Sequence, residues 1–354
     1  MGHVITGLDY PIVLGPIAEV VSTASFFAYD KIFVLVDQNT CEFCLPILSE
    51  KVISPWIVIE IPAGEVHKNL ETASYIWREL SHHQASRHSL LVCLGGGVIG
   101  DMGGWAAANY MRGIDFIQIP TTLLSMVDSS VGGKLGIDHG GIKNLIGSFK
   151  NPKAVWIDPI FLHTLPEDQI RSGYAEMLKH SLIGDPKSFD VFDGWTHLSV
   201  SELSTYIQSS IEVKKYIVQA DPFETGKRKI LNFGHTIGHA VEAHALTQGD
   251  HPLLHGECIA IGMIIEAHLS FQQDHLSLES LNRITRHVLK IFGHYPGHVP
   301  GLEVLLPYMM LDKKNRSGKI HFASLMELGV CAFDLHFGDH EIRLALDYYR
   351  SLES

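Results

Sequence analysis

Hydrophobic residues in the first half of the chain come in short, unbroken runs separated by longer mixed stretches. Lys31 to Val36 (KIFVLV), Trp56 to Ile61 (WIVIEI), Leu90 to Leu94 (LLVCL) and Phe116 to Ile119 (FIQI) show almost no polar alternation. Strands covered on both faces read this way, and the stretches between them are long enough to return as helices, so the pattern predicts a parallel sheet. From about Pro166 the period becomes that of amphipathic helices, over Pro166 to Ile183, Val200 to Gln219, Lys229 to Leu246, Glu257 to Gln272 and Leu281 to Phe292. β-like runs return only near Lys319 to Phe322 and Val330 to Phe333. The expectation is an α/β domain over residues 1–166 and a mainly helical domain over 167–354, which suits 354 residues at about 150 per domain.

Composition narrows the partners. With 46% hydrophobic and 19% charged residues the chain is too apolar to stay disordered. A net charge of -12 opposes the phosphate neutralisation that nucleic acids and anionic membranes require, so neither is expected as a partner. The longest apolar stretches, such as Ile259 to Ile265, fall short of the roughly 18 residues of a membrane span, and the N-terminus shows no basic region followed by an apolar core. Five cysteines make no disulfide framework and suit a reducing compartment, so a cytoplasmic protein is expected. Cys41 and Cys44 form a lone CxxC followed by Leu45 and Pro46, and read as helix-start residues.

The run Leu90 to Leu94 leads directly into Gly95-Gly96-Gly97-Val98-Ile99-Gly100-Asp101-Met102-Gly103-Gly104. Glycines at a strand-to-helix turn let backbone N-H groups approach a pyrophosphate; they also serve merely to pack a helix on a sheet. Asp37 and Asn39 end an earlier strand, at the sheet edge where dinucleotide riboses lie. The glycine turn follows the third apparent strand and not the first, and Lys134 is followed by Leu135, not the Ser or Thr of a P-loop. Thr121 to Asn144 combines Asp128, Ser129, Ser130, Lys134, Asp138, Lys143 and Asn144 with five glycines. It reads as one long functional loop suited to binding an anion.

On a helix through Lys229 to Leu246, Arg228, Asn232, His235, His239 and Glu242 fall within a stripe of about 80°. Two histidines at i and i+4 can approach one ion. His251 and His255 follow, and Glu176 shares a helix face with Lys179 and His180; spacing does not choose among the four histidines. Glu plus two His leaves a tetrahedral Zn²⁺ an open position for substrate oxygens. Arg112, Lys179, Lys214, Lys215, Arg228, Lys313 and Lys314 are scattered through these motifs, which in an acidic protein suits a compact substrate bearing carboxylate and phosphate.

Together, GEVHK (Gly64 to Lys68), GGGVIGDMGG, YMRG, PTTLL, VDSSVGGK, KNLIG, YAEMLKH, ADPFETGKRKILNFGHTIGHA, LHGE and LDKKN resemble, in this order, the 3-dehydroquinate synthases among the sugar phosphate cyclases. Phe149-Lys150-Asn151-Pro152 departs from the family's aromatic-Gln-Pro at no chemical position. The resemblance implies a homodimer of chains with a Rossmann-like NAD domain and a helical metal-bearing domain. It implies Zn²⁺ or Co²⁺ on Glu176, His235 and His255, with His239 on the substrate. It implies NAD contacts from Asp37, Asn39, Glu65, Lys68, Gly96, Gly97, Asp101, Thr121, Thr122, Lys143 and Thr164. Substrate contacts are implied for Arg112, Asp128, Lys134, Asn144, Lys179, Lys214, Arg228, Asn232 and one of Lys313 or Lys314. The implied reaction turns 3-deoxy-D-arabino-heptulosonate 7-phosphate into 3-dehydroquinate and phosphate through transient oxidation by NAD, β-elimination, reduction and an intramolecular aldol. Metal-dependent polyol dehydrogenases share the implied fold, but the cationic residues argue against a neutral polyol; other sugar phosphate cyclases are a nearer alternative, and Lys214, Arg228, Asn232 and His239 favour the dehydroquinate branch.

Overall fold

The apolar runs of the first half become neighbouring strands. The computed structural model describes residues 2–22, 28–52, 55–140, 142–247, 253–310 and 320–353, so His251 and the whole of LDKKN, Lys313 and Lys314 included, lie outside the described residues, as does Lys319. The chain divides into two compact units, Met1–Ile170 and Arg171–Ser354.

In the first unit, β1 (His3–Ile5), β2 (Ile12–Leu14), β3 (Ile32–Asp37), β4 (Trp56–Ile61), β5 (Leu90–Gly95) and β6 (Asp115–Pro120) precede a hairpin of β7 (Lys134–His139) and β8 (Ile142–Phe149), then β9 (Ala154–Ile157). Apart from the hairpin these strands form one sheet, ordered β1-β2-β9-β6-β5-β3-β4 and parallel except for β1 against β2. Helices α1 (Ile17–Ser22), α2 (Gln38–Phe43), α3 (Leu45–Lys51), α4 (Leu70–His82) and α5 (Gly97–Asn109) lie in the crossovers. The chain steps outward from β3 to β4, then returns past β3 to β5, so the strand order reverses between β3 and β5. A crevice opens beyond the carboxyl ends of strands at such a reversal. Asp37 and Gly95 end the two strands there.

The second unit holds most of α6 (Glu167–Gly184), then α7 (Pro186–Phe192), α8 (Val200–Ala220), α9 (His235–Ala245), α10 (His255–Gln272), α11 (Leu278–Phe292), α12 (Leu302–Met310), the hairpin β10 (Phe322–Glu327) and β11 (Val330–Leu335), and α13 (Asp339–Ser351). α10 is buried almost along its length because it is apolar on every side, and it packs against α9, α11, α13 and β10.

Three local expectations are corrected. Thr121 to Asn144 is not one loop: a π-turn over Ser125–Ser129 is followed by the β7–β8 hairpin. Leu135 and Ile137 alternate with Lys134, Gly136 and Asp138 and bury against the core, a period of two obscured by the glycines around it. Lys229 to Leu246 is not one helix either, since a 3-10 turn over Lys227–Asn232 ends before Gly234, whose φ of +79° breaks the chain direction and starts α9 at His235. Arg228 and Asn232 therefore do not share a helix stripe with His235 and His239. The strand expected near Lys319 to Phe322 begins only at Phe322.

Candidate active site

Glycines in the first unit divide their work. A Cβ on Gly103 would meet Cys93 Sγ and Leu35 Cδ2 at 2.6 Å, and one on Gly104 would meet Leu135 at 2.5 Å, so these two serve the seating of α5 on sheet and hairpin. Gly96 and Gly97 instead stand at the uncapped start of α5, beyond β5, where a Cβ would meet only the side chains of Thr122 at 3.0 Å and Ser129 at 3.3 Å. Thr121 and Thr122 lie at the adjoining end of β6, tied by the Thr121 N-H to Gly95 O at 3.0 Å. Asp37 caps α2 by accepting the Thr40 N-H at 2.8 Å, leaving Asn39 exposed on that helix.

Lys68 gathers a polar knot beside them. Its buried Nζ donates to Asp101 Oδ2 at 2.6 Å and to Asn144 Oδ1 at 2.7 Å, with Glu65 Oε1 at 4.0 Å. Burial lowers the pKa of this amine, but the charges of Asp101 and Glu65 outweigh it and hold the group above its ordinary value. Asn144, expected among substrate contacts, thus shares the Lys68 ammonium with Asp101, and Lys68 and Asp101 are both expected to contact NAD. It carries a φ of +50°, and Arg112 one of +69°, conformations non-glycine residues keep only where their surroundings demand it. Arg112, Lys134 and Lys143 are exposed, Asp128 is half-buried in the π-turn, and Thr164 meets Cys44 Sγ at 3.6 Å.

In the second unit the expected metal-site residues converge from three helices. Glu176 and Lys179 project from α6, one turn apart, and Lys179 Nζ donates to Glu176 Oε2. α9 supplies His235 and His239, and His255 is the first residue of α10. Three glycines permit the approach: a Cβ on Gly262 would lie 1.9 Å from Gly234 O, one on Gly238 2.9 Å from Cys258 O, and one on Gly256 2.2 Å from Ser172 O. α9, α10 and α6 therefore meet backbone to backbone. Glu266, buried in α10, accepts the N-H of Gly234 at 2.7 Å and of Ile237 at 3.0 Å, and so caps α9 where no local side chain does. The sequence reading missed Glu266, although one carboxylate in the apolar run Cys258 to Ala267 is a signal of such a partner.

The donor geometry fits a divalent cation. Glu176 Oε1 is buried without a hydrogen-bond partner, 3.3 Å from His235 Nε2 and 3.9 Å from His255 Nε2. Each ring places Nδ1 against an acceptor, Phe233 O at 3.1 Å for His235 and Glu242 Oε2 at 3.2 Å for His255. Those partners assign the protons to Nδ1, so bare Nε2 lone pairs face a carboxylate oxygen, an arrangement a cation relieves. Burial raises the Glu176 pKa, yet the Lys179 ammonium beside it holds it well below the ordinary range. Burial and then Lys179 push His235 below its usual value, keeping it neutral as a ligand must be. The donor atoms of His235, His239 and His255 all lie within 4.8 Å of one another. Lys214 and Arg228 are buried in the same unit, where α8 packs on the 227–232 turn. Arg228 Nη1 donates to Pro222 O at 2.6 Å, and Asn232 Nδ2 to Glu224 Oε1 at 3.0 Å.

Solved sugar phosphate cyclases share this fold over nearly the whole chain. The solved structure of 2-deoxy-scyllo-inosose synthase complexed with carbaglucose-6-phosphate, NAD+ and Co2+ matches 98% of this chain and 99% of its own, at a TM-score of 0.85 and 25% identity. That of 2-epi-5-epi-valiolone synthase from Streptomyces hygroscopicus, with NAD+ and Zn2+ bound, matches 98% of each chain at 0.83 and 25%. Residues 58–172 match the family model of the 3-dehydroquinate synthase N-terminal region and 173–315 that of its C-terminal region. The 3-dehydroquinate synthase of Parabacteroides distasonis is 41% identical over 339 residues, spanning 94% of this chain and 95% of that protein. The chain belongs to the 3-dehydroquinate synthase family.

Proposed function

We propose that the chain converts 3-deoxy-D-arabino-heptulosonate 7-phosphate to 3-dehydroquinate and phosphate, as a carbon-oxygen lyase with NAD and Zn²⁺ or Co²⁺ as cofactors. The observation that carries this reading is the buried Glu176 carboxylate, flanked by two imidazole Nε2 atoms and Lys179, inside a unit that also buries Lys214 and Arg228. Metal ligands beside buried cations suit a substrate that is both polyhydroxylated and anionic. Identity of 41% to a named 3-dehydroquinate synthase, against 25% to the two sister cyclases, supports the dehydroquinate branch.

We assign Glu176, His235 and His255 to the metal. Gly96, Gly97, Asp101, Lys68, Glu65, Asp37, Asn39, Thr121, Thr122, Lys143 and Thr164 are assigned to NAD, whose phosphates suit the glycine-lined, uncapped start of α5. Held at their respective residues, the metal would supply Lewis acidity toward a substrate hydroxyl and NAD would supply a reversible hydride acceptor. We assign Lys179, Lys214 and Arg228 to the substrate's anionic groups; the family resemblance supports the further assignment of Arg112, Asp128, Lys134 and Asn144 to substrate. Because Lys179, Lys214 and Arg228 are buried, their positions are fixed before substrate arrives, which orients it without further ordering cost. His239, half-buried, is placed to hold or pass a proton on a substrate oxygen. The family resemblance supports a homodimer, and the five free cysteines support the cytoplasm.

The overall reaction is redox-neutral, so NAD acts as a catalyst. With NAD far below the heptulosonate phosphate and no external oxidant, phosphate release should continue for many turnovers while NADH absorbance stays at baseline. NADH accumulating one for one with product would identify a dehydrogenase instead, and turnover only of a different sugar phosphate would identify a sister cyclase.

A further inference from the structure

We propose that Glu242 is a positioning residue that fixes the tautomer and orientation of His255. The proposal rests on reading Glu176, His235 and His255 as the metal set. His255 turns Nε2 toward Glu176 Oε1 at 3.9 Å and Nδ1 toward Glu242 Oε2 at 3.2 Å. His235 repeats the arrangement with a main-chain acceptor, Nε2 3.3 Å from Glu176 Oε1 and Nδ1 3.1 Å from Phe233 O. The two rings differ in support. His235 leaves 11% of its side chain exposed, whereas His255, at the first residue of its helix, leaves 30% and has more freedom to turn. Glu242 is 8% exposed and sits two turns after His235 on α9, so one helix carries a donor and the group that orients a donor on α10. A carboxylate on Nδ1-H keeps Nε2 unprotonated and makes it more basic, the usual outer support of a metal-bound imidazole.

The test uses the full-length protein, stripped with chelator and titrated with Zn²⁺ against a chromophoric competitor, for wild type, Glu242→Ala, Glu242→Gln and His255→Ala. Glu242→Ala should raise the Zn²⁺ dissociation constant about 10- to 100-fold, while Glu242→Gln, which keeps an acceptor without the charge, should fall between it and wild type. The metal-free thermal midpoint of Glu242→Gln should match wild type, and the d–d absorption of Co²⁺-loaded Glu242→Ala should differ from it. Were Glu242→Ala not to fold, a Glu242→Gln protein of unaltered metal-free stability would still have to bind Zn²⁺ at least about threefold more weakly than wild type. Wild-type affinity in Glu242→Gln and Glu242→Ala, with His255→Ala deficient, overturns the positioning role and leaves the metal set standing. Full affinity in His255→Ala overturns the metal set and this role with it.

Discussion

In the N-terminal unit the expected charged contacts mostly reach water, with Arg112, Lys134 and Lys143 exposed, Asp37 and Asp101 half-buried and Lys68 buried against Asp101. In the C-terminal unit Glu176, Lys179, Lys214, Arg228 and His235 all lie inside the core. Charge that water reaches costs little to keep. Charge inside the helical unit costs several kcal/mol per ion to desolvate, and only close partners offset that. Lys179 against Glu176 and the Glu266 cap on α9 are such partners. The first unit thus keeps most of these charges in water, and the second holds its set inside the core.

The sharpest way to break this contrast is to remove one partner in each unit. Glu176→Ala strands the Lys179 charge and should cost about 3 to 5 kcal/mol together with Zn²⁺ binding. Lys68→Ala leaves Asp101 within reach of water, its side chain 18% exposed, and should cost about 1 to 3 kcal/mol. Denaturant titration of both variants with chelator present measures the difference, and equal losses would refute it.

Acid should also separate the units. Burial pushes His287 from 6.5 down to about 4, where its Nε2 pairs with the Tyr174 hydroxyl at 2.8 Å. The unfolded chain takes up that proton first as pH falls, so stability present above 6.5 is lost between 6.5 and 4, by about 3 kcal/mol in total. Lys68, held above its ordinary value, does not titrate in this window. Unfolding monitored in each unit across this range should show the helical unit weakening first, and His287→Gln should flatten the slope. An unchanged slope in that variant would place the acid sensitivity elsewhere.

A methyl group at two glycines sharpens the same comparison. Gly262→Ala would put Cβ 1.9 Å from Gly234 O, which is backbone and cannot turn aside, so α9 and α10 should separate at a cost of about 1 to 3 kcal/mol with weaker Zn²⁺ binding. Gly97→Ala meets only Ser129 Oγ at 3.3 Å and should cost less than about 1 kcal/mol while weakening NAD binding. Retained NAD affinity in Gly97→Ala would make that glycine a packing residue like Gly103.

Of the strands that read clearly in sequence, β3, β5 and β6 are almost wholly buried, whereas β4, at the sheet edge, buries only Ile59 and Ile61 although its run is nearly as apolar. β1, β2 and β9 escaped because three or four residues carry no period to detect. The continuous helix expected through Arg228 and His239 failed for a different reason. The 3.6-residue pattern does continue across Phe233, but Gly234 breaks the backbone, and its N-H finds an acceptor 32 residues away in Glu266.

By itself the sequence determined the order of its elements and the residue types of its site. Apolar period and glycine spacing are local properties, set by what each backbone segment can adopt and bury. Tertiary structure alone decided which histidines face Glu176 and which acceptor takes each Nδ1. Those choices depend on helices meeting at Gly234, Gly238, Gly256 and Gly262, and on a carboxylate far along the chain whose desolvation is offset only where the main chain offers it N-H groups.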